Sequence, residues 1–224
     1  MSNLHNSLDT ASQLTFWHGG DPRPVPAGLP TGYPALDAAL PGGGWPLGAL
    51  TEIVYHQTGS DELGVALPAL ARLSQEGRWL AWIAPPHIPI APTLAAHGVN
   101  LSRVLLVHSR PGSDGLRTVE MALRASTCGA VLAWPAAGDE STLRRLQEAA
   151  AASKAWCLLF RDAHTARPPA AAVGLRVETA RDGRSAQIFN HASGPAGQHI
   201  QLELAPRPAG DNSEILGSVP ALRH

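Results

Sequence analysis

The chain has 224 residues, of which 44% are hydrophobic and 16% charged, and a formal net charge of −1. That length can bury one sizeable core, and the composition is that of a globular protein rather than a disordered one. Near-neutral charge excludes a global attractive field for nucleic acid, and no apolar run approaches the ~20 residues of a membrane span.

Basic charge is almost all arginine, because Lys154 is the only lysine. The first residues, MSNLHNSLDTASQ, have neither the basic start nor the apolar stretch of a secretory signal. Cys128 and Cys157 both fall inside apolar runs and read as buried strand residues in a reducing cytosol, not as a disulfide. The expectation is a cytoplasmic protein that does not engage a membrane.

Residues 1–28 are polar, then rich in proline and glycine, and read as a flexible arm. Within it Phe16-Trp17 is either a loose packing contact or an anchor. From Tyr33 the apolar positions Tyr33, Leu36 and Leu40 have helical spacing, and Pro41-Gly42-Gly43-Gly44 ends that helix. Leu50–Val54 reads as a short buried strand. Asp61 then opens a helix to about Gln75, with acidic residues at its start and a kink at Pro68. The unit repeats: strands at 79–84, 104–107, 130–134 and 155–160 alternate with helices at 91–97, 113–124 and from 139. Such alternation, with strands of unbroken apolar character, predicts a doubly wound α/β fold with a mainly parallel sheet. After Arg161 the segments 175–178, 186–189 and 200–204 shorten and alternate, separated by Asp182-Gly183 and Gly194-Pro195, as closing strands in hairpin arrangement do. The domain is expected over 29–205, followed by a disordered tail at 206–224.

A strand, a polar loop and a helix in succession are where a nucleotide-binding fold places its phosphate-cradling loop. Here that loop is Tyr55-His56-Gln57-Thr58-Gly59-Ser60-Asp61-Glu62. It has one glycine and no lysine, and Asp61 and Glu62 would repel a triphosphate. The strand ending at Trp134-Pro135 offers no carboxylate for Mg²⁺, and the one ending at Pro85-Pro86 offers no general base. No Gly-x-Ser-x-Gly elbow occurs, and the ten histidines show no metal-ligand spacing. His56 and His87 are the two near a plausible cleft and read as solvated or capping residues. The expectation is a chain without catalytic residues, cofactor or metal.

What remains points to surfaces. Tryptophan and arginine mark binding hot spots. Of the six tryptophans, Trp45 in the glycine turn and Trp134 at a strand end are the better candidates for exposure, although core or partial core is the safer reading. Trp79 and Trp82 face opposite sides of one strand. Arg161 and Arg176 belong to an arginine series interleaved with Asp162, Glu178, Asp182 and Glu203, which reads first as a solvated face and second as a contact strip. Trp45, Trp134, Arg161 and Arg176 are the partner-contact candidates.

The order Leu29-Pro30-Thr31-Gly32, Leu36-Asp37, Gly42-Gly43-Gly44, Pro46-Leu47-Gly48 and Glu52-Ile53 resembles the start of the RecA recombinase core. More closely, residues 40–46, 50–53, 77–86 and 129–135 resemble the ImuA family of RecA-like accessory proteins of translesion synthesis. Residues 51–160 are also similar to SulA, the SOS inhibitor of cell division. Carried over from RecA, the phosphate-loop lysine falls on Asp61, the catalytic glutamate near Pro86 and the strand-end aspartate near Trp134. The resemblance implies a RecA-like fold and a non-catalytic adaptor of an SOS-induced mutagenesis complex. Its implied partners are a Y-family-like polymerase homologue (ImuB-like), a second replicative-type polymerase and RecA. The alternative it implies is an inhibitor that binds FtsZ.

Overall fold

A computed structural model describes residues 27–56, 63–89, 91–108, 113–135, 138–166, 173–180, 185–190, 198–202 and 216–217. Helices α1 (Pro34–Ala39), α2 (Leu67–Gln75), α3 (Ala91–Ala96), α4 (Ser113–Arg124) and α5 (Glu140–Ser153) alternate with ten strands. The strands are β1 (Leu50–Tyr55), β2 (Trp79–Ile83), β3 (Ile88–Pro89), β4 (Val104–Val107), β5 (Cys128–Ala133), β6 (Trp156–Asp162), β7 (Leu175–Thr179), β8 (Ser185–Asn190), β9 (Gln198–Gln201) and β10 (Leu216–Gly217). Eight of them form one sheet in the order β4-β2-β5-β6-β1-β7-β8-β9. The first six run parallel, and β8 and β9 continue antiparallel. The expected α/β class with antiparallel closing strands is thus present. No described helix is long and apolar enough to cross a membrane.

Every residue of β1 and β5 is buried, because helices cover both faces of the parallel part. On one face Leu36 of α1 and Leu67, Leu70 and Leu73 of α2 pack on Ile53, Leu80, Leu132, Leu158 and Phe160. On the other, Leu116, Val119 and Leu123 of α4 and Leu143 and Leu146 of α5 pack on Ala81, Val131, Cys157 and Leu159. Cys128 and Cys157 are buried and free, and burial pushes the Cys157 thiol up to about 12.

Local sequence explains most boundaries. Asp139 caps α5, accepting the Thr142 N–H at 2.6 Å, and Lys154 ends that helix in the left-handed conformation with φ 56°. The helix expected from Asp61 starts instead at Leu67, after a turn over Leu63–Ala66. Pro68 therefore sits in its first turn, where the missing N–H costs nothing, and initiates the helix rather than kinking it. Most of the arm (1–26), with Phe16 and Trp17, and both Asp182-Gly183 and Gly194-Pro195 lie outside the described residues. So does most of the tail, although Leu216–Gly217 pair with Ile88–Pro89.

The glycine turn wraps a buried indole. Leu29 and Trp45 exchange backbone bonds of 2.8 and 2.7 Å. A Cβ on Gly44 would meet the Leu29 carbonyl, so only glycine admits this close approach. Trp45 then stacks on Trp156 with centroids 5.0 Å apart, and the Trp156 Nε1–H donates to Thr51 Oγ1 at 3.1 Å. Trp156→Ala removes the stack and the bond together. It is expected to cost about 3–5 kcal/mol in urea unfolding, and a loss below about 1 kcal/mol would show that this contact does not hold the turn to the sheet.

Candidate functional site

Doubly wound sheets bind ligands at the carboxyl ends of their parallel strands. At that edge His56 follows β1, Pro85-Pro86-His87 follow β2, His108 follows β4, Trp134-Pro135 follow β5, and His164 follows β6. Of the degenerate loop, Tyr55 and His56 are described; Gly59, Ser60, Asp61 and Glu62 lie outside the described residues. Tyr55 is buried, and its carbonyl accepts the Ala163 N–H at 2.8 Å, tying β1's end to the turn after β6.

Aromatic rings fill the middle of this edge. Trp134 stacks on Phe160, with centroids 4.8 Å apart and planes at 14°, and lies 5.8 Å from Trp82. Trp82 and Phe160 are buried and Trp134 half-buried. The expected exposure of Trp134 is thus only partial, because neighbouring strands supply stacking partners. Trp45 is fully enclosed, as the safer core reading has it, and its place among the partner-contact candidates is corrected because no face of the indole reaches solvent. Among the described residues no group of three or more His, Cys, Asp or Glu is placed to hold a metal ion.

Arg161 and Arg176 are not on a solvated face. Arg176 is buried and Arg161 nearly so, and both meet Glu52 in the middle of β1, at 3.3 and 2.5 Å. Arg176 also pairs with Glu178 at 3.1 Å. The cluster joins three adjacent strands, since β1 lies between β6 and β7. Burial pushes the Glu52 carboxyl above its usual value against the pull of Arg176 and Arg161. Glu52 was not among the expected site residues; its signal is a carboxylate inside a strand that is otherwise apolar but for Thr51, which demands a cation beside it.

The β4 margin was not among the expected contact surfaces either. Among the described residues β4 pairs on one side only, with β2. Leu105 is 48% exposed, Leu101 40% and Trp79 38%, and the Arg103 guanidinium lies 5.2 Å from the Trp79 ring centroid. The strand itself, Val-Leu-Leu-Val, carries no charge or proline of the kind that blunts an edge.

Residues 48–157 match the family model described as SulA, "Cell division inhibitor SulA". The chain is 36% identical over 105 residues to "Protein RecA" of Bacillus licheniformis, covering 46% of this chain and 30% of that one. It is 38% identical over 103 residues to "Protein RecA" of Streptococcus thermophilus, covering 46% and 26%. The chain thus spans less than a third of the RecA proteins it matches. The crystal structure of SulA from Pseudomonas aeruginosa aligns at 28% identity with a TM-score of 0.44, over 50% of this chain and 97% of that one. In sequence this is a SulA- and RecA-like chain.

Because Glu52 holds its proton more tightly folded than unfolded, its contribution is full below the ordinary glutamate value of 4.5 and is lost as pH rises through its folded titration. Arg176→Met leaves the ionised carboxylate with Arg161 alone and pushes its pKa higher. The expected loss in urea unfolding is about 3–5 kcal/mol at pH 7, and less at pH 4 where Glu52 is protonated. A deficit independent of pH would mean that Arg176 contributes packing alone.

Proposed function

We propose that the chain is a non-catalytic RecA-like adaptor of an SOS-induced translesion synthesis complex, engaging an ImuB-like polymerase homologue and RecA. The observation that carries this reading is the β4 margin. An apolar strand that among the described residues pairs on one side only, with Leu105 and Trp79 beside it, suits addition of a partner's extended segment. The non-catalytic part is supported by Trp134, stacked on Phe160 after the end of β5, and by Pro86, the two positions where the RecA resemblance calls for carboxylates. A second reading, a division inhibitor that binds FtsZ, is favoured by the SulA match over residues 48–157.

Pull-down with the polymerase homologue, RecA and FtsZ as separate baits distinguishes the two. Leu105→Asp is expected to weaken capture of the polymerase homologue or RecA at least tenfold, about 1.4 kcal/mol or more, without lowering the thermal midpoint. Capture of FtsZ with neither of the others selects the second reading. Micromolar ATP affinity in calorimetry would overturn the non-catalytic assignment.

A further inference from the structure

The backbone of β4 faces two ways. The Val107 carbonyl accepts the Ala84 N–H at 2.8 Å, so the polar groups of Val107 point toward β2. Alternation turns those of Leu105 toward β2 as well, and those of Val104 and Leu106 outward. Among the described residues no strand pairs with that outward side. Val104 and Leu106 therefore offer their N–H and C=O groups in the spacing an antiparallel partner strand uses.

Side chains give this margin a chemical direction. Val107 packs on the core beneath α4 and α5, so Leu105, two residues earlier, stands on the same face of the sheet. Leu105 is exposed, and just before the strand the Arg103 guanidinium lies over the Trp79 ring. Arg72, Arg124, Arg144, Arg145, Arg161 and Arg176 each pair with a carboxylate. Among the described residues Arg103 has no carboxylate within ion-pair distance. An exposed leucine thus stands two residues from a half-buried, uncompensated cation. An apolar side chain and a carboxylate, held at that same spacing, complement both.

We infer that the β4 margin takes an acidic extended segment of a protein partner, running antiparallel and reading apolar-x-carboxylate from its N-terminal side. With the apolar residue opposite Leu105, the next residue exchanges both backbone bonds with Val104, and the carboxylate meets Arg103. Antiparallel pairing is the more stable ladder per residue, and it sets the order, since a parallel segment would present the carboxylate first. The inference rests on the strand addition proposed above and names the chemistry of the added strand.

The test uses three fluorescent peptides on the full chain: Ser-Thr-Thr-Leu-Thr-Glu-Thr-Ser, its counterpart with Gln for Glu, and the reversed sequence. Anisotropy is expected to show the first binding about fivefold or more tighter than either of the others. Arg103→Gln is expected to abolish the preference over the Gln peptide and to leave the affinity for that peptide unchanged. Arg78→Gln, whose native guanidinium donates instead to the Cys128 carbonyl on β5, is expected to keep the preference. Bound peptide should slow deuterium exchange at the Val104 and Leu106 amides and leave Leu105, already bonded to β2, as it was. A preference below about fivefold, a preference that survives Arg103→Gln, or unchanged exchange at Val104 and Leu106 overturns the proposal. Equal binding of all three peptides that disappears in Leu105→Asp overturns the acidic specificity while strand addition at β4 stands. No binding by any peptide overturns it as well, and the pull-down baits still decide the adaptor reading.

Discussion

A carboxylate in the middle of a buried strand survives only where cations face it. Glu52 on β1 meets that condition through Arg161 on β6 and Arg176 on β7. The cluster sits at the junction between the parallel α/β core and the closing strands, since β7 is the last parallel strand and the one the hairpin grows from. A slip of one residue in either neighbour would turn its arginine to the opposite face and leave the buried Glu52 with one cation instead of two. The ion pairs therefore select register more than they add net stability, in keeping with a carboxyl that burial still pushes upward.

With the strands aligned, the two ends of the sheet differ in character. At the carboxyl end apolar surface is spent inward, in the stack of Trp82, Trp134 and Phe160. At the β4 margin it is spent outward, with Leu105 and Trp79 in contact with solvent.

The parallel core was legible because each of its central strands carries a dense apolar run, and Asp139 announces its helix by cap chemistry. The start of α2 was not: Leu63 fits helical spacing with Leu67 and Leu70, although it belongs to the preceding turn. Trp45 became a contact candidate because a glycine turn suggests solvent, whereas Gly44 is there to let two backbones meet over the indole, and the safer core reading holds. Arg161 and Arg176 looked solvated because their carboxylate neighbours along the chain hid a partner more than a hundred residues away. Composition cannot reveal strand register. The β4 edge was equally hidden, since a strand's place in the sheet order is set by crossovers and not by its own residues.

Lys154, exposed just past the end of α5 and immediately before β6, is the chain's only lysine. Side-chain amine chemistry consequently has a single address, at the amino end of the parallel strands. Acylating enzymes, ubiquitin-type ligases and ester-activated dyes would all converge on that position. A probe attached there leaves both the β4 margin and the carboxyl edge chemically untouched, whereas every contact built on those surfaces forms without a lysine ammonium.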